Sequence, residues 1–375
     1  MLRNIKKITA AAVLAVIAVI LFGTLLFGEN ERLYDENRET VKMPELTLSS
    51  LYDGTFCRQL EPFLADRFAF RSRWLSFKAK IISKFSENIV NGVYIDDERL
   101  LDAEMSERKV GIDSAGIINN FAKSFDGTVY LAAVPTSSGV YGDILPANLI
   151  GNPESQQISR LYGLLSPDIR KIDAYNILKM LNDNYIYFRS DTKWTSYGAY
   201  CVYRTVIQKL GFIPTPYDKY TIRHVTDNFR GNLYNRTLFE NTKSDLLDIY
   251  EYHDGAKIVS CNVTQKDGTV YESDFYDMSM LESGYMYDMY LGKKEPLVEI
   301  ETSLNNSKKL LVIKDSYADC FIPFLIQHYN RITVVSPEYI EGNISDYVNF
   351  KNYDQALILF GIENINNPKL FSSQN

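Results

Sequence analysis

The chain has 375 residues, a formal net charge of −7, and 27 Tyr against 2 Trp. That length holds one large domain or two with a substantial core, and the acidic balance argues against a nucleic-acid binder. Three histidines (His224, His253, His328) are too few for a His-rich metal site, and no cofactor motif stands out, so neither metal nor cofactor is expected. The four cysteines (Cys57, Cys201, Cys261, Cys320) show no paired spacing. Disulfides in an oxidising compartment and buried free thiols are both open readings.

In chain order, Arg3, Lys6 and Lys7 precede an uncharged run, Ile8–Phe27. A helix of that length spans about 30 Å, the thickness of a bilayer core. The positive flank inside and Glu29-Asn30-Glu31 outside orient the remainder away from the cytoplasm. No small-x-small cleavage site follows Phe27, so residues 1–28 are expected to be a cytoplasmic tip and an uncleaved membrane anchor. Residues 29–90 are expected to be a tether and a helical juxtamembrane segment. Phe56, Leu60, Phe63, Leu64 and Phe68 recur at helical spacing, the pattern breaks near Phe70, and a second amphipathic helix runs from about Ser72 to Ser86. Its basic residues are open to two readings, lipid headgroup contact or a solvated face.

Residues 91–370 read as one α/β domain. Asn91-Gly92 turns into a strand, and Thr128–Val134 is a buried strand stopped by Pro135. Leu161–Leu165 continues a short helix, Ile169–Ile172 is strand-like, and Tyr185–Arg189 reads as a further strong strand unit. A helix from about Ser196 to Leu210 is stopped by Gly211. Residues 212–300, with short antiparallel strands such as Ile258–Val263, read as an insertion or lid beside the main sheet. Then Lys309–Lys314 ends in Asp315-Ser316 with a helix expected straight after, and Ile332–Val335 and Gln355–Gly361 are two more buried strands. Apolar strands alternating with helices imply a mainly parallel sheet, whose ligands bind at the carboxyl ends of the strands. Ser316 and Pro135-Thr136 lie there. A serine at a strand-to-helix junction is either a helix cap or a nucleophile beside oxyanion-stabilising N–H groups.

Three stretches together carry a resemblance. Ser190-Asp191-Thr192-Lys193-Trp194-Thr195-Ser196-Tyr197-Gly198-Ala199-Tyr200 resembles the motif that names the DHHW proteins. Lys314-Asp315-Ser316-Tyr317-Ala318 resembles their nucleophile block, and Val134-Pro135-Thr136 with Tyr141 and Leu145-Pro146 their first strand and loop. DHHW proteins are similar to the SGNH-hydrolase-like proteins that O-acetylate alginate and other exported polysaccharides. The resemblance implies a three-layer α/β/α SGNH-hydrolase-like fold with a Ser–His–Asp triad and a bacterial cell-surface setting. It also implies a polysaccharide or cell-wall glycan as ligand, and a membrane-bound O-acyltransferase as partner. By position Ser316 matches the nucleophile and Asp191 the acid, but Lys193 occupies the histidine position. Where the family has Asp-x-Arg after the next strand, this chain has Ser336-Pro337-Glu338.

An imidazole can accept and return the serine proton near neutral pH, whereas a lysine needs a lowered pKa to do so. Asp191 favours the ammonium, so an Asp191–Lys193 ion pair is expected, leaving Ser316 without a base. His328 lies twelve residues after Ser316, about 18 Å along a continuous helix, too far to substitute. Substrate-binding candidates are Trp194, Tyr317, Glu338, Tyr339 and Thr136. Trp194 either lines a sugar site or packs beneath the helix, and Thr136 either bonds substrate or merely leaves its strand. The sequence reading is a membrane-anchored protein of glycan O-acetylation with a degenerate triad. The alternatives are an active O-acetyltransferase or acetylesterase using another base, and a non-catalytic glycan-binding or scaffold protein.

Overall fold

A central sheet of eight strands is built from β1 (Thr128–Val134), β2 (Arg170–Ile172), β3 (Ile258–Thr264), β4 (Val270–Glu272), β5 (Leu297–Thr302), β6 (Lys309–Lys314), β7 (Arg331–Val335) and β8 (Gln355–Gly361). The computed structural model describes residues 38–104 and 112–365, apart from 69, 150 and 293, with scattered residues between 9 and 33. Spatial order across the sheet is β4-β3-β5-β7-β6-β8-β1-β2. The five strands from β7 to β2 run parallel, with Val312 level with Val334 and Leu357. The three at the other edge are antiparallel. The result is a mixed α/β fold around a large, mostly parallel sheet.

Strands covered on both faces need apolar side chains in both directions. Alternate residues of β1 therefore enter two separate cores. Tyr130, Ala132 and Val134 face Val202 and Val206 of a long helix, while Val129, Leu131 and Ala133 face Ile118 and Leu161. Of the flanking helices, α1 (Thr55–Asp66) and α2 (Arg71–Phe85) precede the domain; α3 (Ile112–Ser124) and α4 (Glu154–Leu164) cover one face, and α5 (Ser196–Lys209) the other. The start and stop of α5 follow from local chemistry. The Thr195 hydroxyl accepts from Gly198 N–H, and Gly211 takes φ +93°, a left-handed conformation natural to glycine.

Four expectations change. Tyr185–Arg189 is not a sheet strand: apart from a single bridge between Tyr187 and Trp194, it is a loop, with Phe188 N–H donating to the Lys193 carbonyl, Arg189 N–H donating to Asp245 and the Arg189 carbonyl accepting from Leu100 N–H. No long helix follows Ser316. Two 3₁₀ turns, Ser316–Ala318 and Ile322–Gln327, take its place, the second with Pro323 in its first turn. Residues 212–300 do not all stand beside the sheet, since β3, β4 and β5 extend it, and the hairpin Thr221–Phe229 with Asp245–Glu251 forms a separate two-stranded sheet. The tether is partly docked: Val41 N–H donates to Asp66 and its carbonyl accepts from Arg67. Among the described residues no helix is long and apolar enough to cross a membrane, and nine of the twenty residues of the expected span Ile8–Phe27 lie outside the described residues. All four cysteines are free thiols, with Cys261 and Cys320 buried.

Candidate active site

Two loops at the carboxyl edge of the sheet meet around Ser316. The first is the hairpin-like turn between Tyr185 and Thr195, closed by Phe188 N–H to the Lys193 carbonyl (3.1 Å) and Thr195 N–H to the Ile186 carbonyl (2.9 Å). Asp245, fully buried, anchors it from the neighbouring hairpin. Its carboxylate accepts from Arg189 N–H (2.8 Å), Ser190 N–H (3.0 Å), Ser190 Oγ (2.5 Å) and Tyr185 OH (2.6 Å). Burial raises the Asp245 pKa against these donors.

At the tip of this loop Asp191 is boxed in. Oδ1 accepts from Lys193 N–H at 3.0 Å and faces Lys193 Nζ at 3.3 Å, while Oδ2 accepts from Asn232 N–H at 2.8 Å. A Cβ on Gly231 would lie 2.4 Å from Asp191 Oδ2, so only glycine admits the carboxylate here. Burial pulls the Lys193 pKa down, but Asp191, then Glu363 and Asp315, outweigh it, and the net shift is upward. Lys193 is therefore held as the ammonium, and the expected ion pair with Asp191 is present.

The second loop is the turn after β6. Asp315 ties it down: Oδ1 accepts from Tyr317 N–H (2.9 Å), and Oδ2 from Gly361 N–H and Asn364 Nδ2 (both 2.8 Å). Burial pushes the Asp315 carboxyl up to about 7. Ser316 stays half-buried, its carbonyl held by Tyr287 OH at 3.1 Å. It opens into a cleft of about 120 Å³ shared with Glu338, Tyr339, Asp288, Lys294 and the buried Lys314–Asp319 pair. Among the described residues the Ser316 hydroxyl makes no hydrogen bond to a proton acceptor.

The remaining candidates separate into cleft and core. Glu338 and Tyr339 line the cleft. Trp194 does not: it is fully buried, donates Nε1–H to the Tyr317 carbonyl at 2.7 Å and stacks on Phe321, bracing one loop against the other. Tyr317 is also fully buried, its hydroxyl 3.0 Å from both the Thr192 carbonyl and Glu363. Thr136 is committed to Glu154, donating N–H at 2.8 Å and Oγ1–H at 2.6 Å, and burial lifts the Glu154 carboxyl to about 7. These three are positioning or packing residues, because a buried polar group needs its partner inside the protein.

None of the three histidines joins the Asp191–Lys193 loop at the site. His328 sits 2.6 Å from Tyr203 OH, midway along α5, and packs on Phe212 beyond its C-terminus, whereas the site lies at the N-terminus of α5. Burial lowers its pKa to about 4. His224 and His253 are exposed beside Asp248 and Glu251. Sequence reasoning missed Asp315, Asp319, Glu363 and Asn364. The signal was available, since all four follow the ends of β6 and β8, where a parallel sheet places its ligands.

The arrangement thus offers a reachable hydroxyl, a nearby ammonium and several carboxyls. Among the described residues no cluster of His, Cys, Asp and Glu is arranged to hold a metal ion. Among curated proteins, none matches the chain. Among solved structures, a DHHW family protein from Eubacterium siraeum superposes with a TM-score of 0.63 at 21% identity, covering 76% of this chain and 96% of its own. Bacillus cereus PatB1 carrying a sulfonyl adduct superposes with a TM-score of 0.62 at 18% identity, covering 76% and 98%. The model of the DHHW protein family matches residues 109–335, more than half of the sequence. The chain belongs to the DHHW family.

Proposed function

We propose that this is an extracytoplasmic, membrane-anchored, SGNH-like protein of cell-envelope or exported-polysaccharide O-acetylation, with a three-layer α/β/α domain and a degenerate triad. Family membership supports the setting. One observation carries the chemical reading: Lys193, at the position of the triad histidine, is paired with Asp191 at 3.3 Å and held protonated. Acyl transfer through a serine needs a group that takes the hydroxyl proton as the acyl carbon is attacked and returns it afterwards. An ammonium locked to a carboxylate has no lone pair for that step. On this reading the cleft holds a glycan or an acetylated glycan next to Ser316, and a membrane-bound O-acyltransferase supplies the acetyl group. Ile8–Phe27 anchors the protein beside that partner.

A second reading, an O-acetyltransferase or acetylesterase with another base, is favoured by one feature. Ser316 remains reachable from a cleft lined by Glu338 and Tyr339 rather than sealed in the core. Acetate release from p-nitrophenyl acetate by the full chain, beside Ser316→Ala and Lys193→His, separates the two. The degenerate site predicts wild-type turnover no higher than Ser316→Ala, with turnover appearing in Lys193→His. Wild-type turnover that disappears in Ser316→Ala supports the second reading and refutes the first.

A further inference from the structure

We propose that the outer face of α2 lies on an anionic lipid bilayer. The inference concerns a different part of the chain from the glycan site and goes beyond that reading. Exposed apolar side chains collect in one part of the chain. Among the described residues, eleven large ones fall between Met43 and Phe85, and only nine in all the chain that follows.

Within α2 the exposed residues form a stripe. Trp74 (54% exposed), Phe77 (57%), Ile81 (43%) and Phe85 (86%) recur every three or four residues and project from one side of the helix. The opposite side is already occupied: Leu75, Ala79 and Ile82 pack with Val93, Leu100 and Leu233. The stripe is therefore not the core face of an amphipathic helix. It is a second apolar face, on a helix that the domain holds from behind.

Charge identifies the occupant. Residues 55–86 carry seven Lys and Arg against two Asp and Glu, in a protein whose net charge is −7. Helical geometry puts Lys78 at one edge of the stripe and Arg73 and Lys84 at the other, and all three are exposed. Aromatic and aliphatic side chains flanked by cations suit the headgroup–acyl boundary. There the apolar stripe sinks about 5–10 Å and the lysine stems reach back to lipid phosphates. A protein partner of this shape would need an acidic rim around an apolar groove; an anionic bilayer supplies both features everywhere.

The two tryptophans make a direct test, because Trp194 is fully buried and Trp74 alone stands on the proposed surface. The full chain is reconstituted into vesicles of phosphatidylcholine and phosphatidylglycerol whose acyl chains carry bromine. Co-sedimentation reports attachment, and tryptophan emission reports depth. The expected result is a blue-shifted Trp74 emission strongly quenched by the brominated chains and shielded from aqueous iodide. Trp74→Phe should abolish the quenching, and Lys78→Glu with Lys84→Glu, or vesicles of phosphatidylcholine alone, should weaken it. A chain that co-sediments while Trp74 stays open to iodide and unquenched by bromine overturns the proposal and leaves the anchor at Ile8–Phe27 standing. Failure to co-sediment overturns both. Trp74 shielded from iodide and bromine alike, the pattern of a protein partner or a second copy, also overturns it.

Discussion

The two loops that meet at the candidate site are built to opposite ends. In the loop from Tyr185 to Thr195 the polar side chains are tied down: Asp245 collects four donors, Asp191 accepts from three groups, and Trp194 is bonded and stacked. In the turn after β6 the scaffold is equally firm through Asp315, yet Ser316 is left reachable in a cleft. The Ser316 side keeps an open group, while the Asp191 side is closed on itself by an ion pair. On the proposed reading the site keeps its framework while the group expected to move protons is replaced, because the framework is held by other residues.

The largest break in this comparison should come from Asp245→Ala. It leaves several buried donors without an acceptor, and a loss of at least about 3 kcal/mol in urea unfolding is expected. A loss under 1 kcal/mol would mean that the loop is held by packing instead. Gly231→Ala comes next. Its Cβ collides with the Asp191 carboxylate, so a cost of about 1–3 kcal/mol is expected. The displaced carboxylate should also loosen Lys193, readable as faster chemical acetylation of that lysine by mass spectrometry.

A smaller effect should appear in pH dependence. The folded Glu154 pKa of about 7 lies above the usual unfolded value, so the folded chain binds this proton more tightly. Stability from this group is present at low pH and falls as pH rises from roughly 4.5 to 7. Glu154→Gln keeps an amide facing Thr136 but removes the titration. Its stability relative to wild type should therefore improve between pH 5 and pH 8, by about 2–3 kcal/mol. A constant difference across that range would show that Glu154 does not titrate there.

Much of the scaffold was legible because it rests on local signals. Thr128–Val134 and Gln355–Gly361 are apolar runs closed by clear breakers, and Thr195 and Gly211 bracket α5. The loop Tyr185–Arg189 was not legible. Its β-branched and aromatic residues look like a strand, but its donors bond to Asp245, more than fifty residues away, which no periodicity records. The same limit explains Trp194, Tyr317 and Thr136. Residue type alone does not separate an aromatic sugar platform from a buried brace, and only the partners Phe321, Glu363 and Glu154 reveal the difference. The Asp191–Lys193 pair was legible because two oppositely charged residues, two positions apart on one tight loop, have little choice.

The central claim is that Ser316 is present and reachable but has no base. Exposure of the full chain to an aryl sulfonyl fluoride, followed by intact mass and peptide mapping, tests it directly. A serine hydroxyl that loses its proton to a neighbouring base displaces fluoride and keeps the sulfonyl group. The account predicts no adduct on Ser316 in the wild type and an adduct on Ser316 in Lys193→His. A stoichiometric adduct on wild-type Ser316, absent in Ser316→Ala, would contradict it and make the serine an active nucleophile.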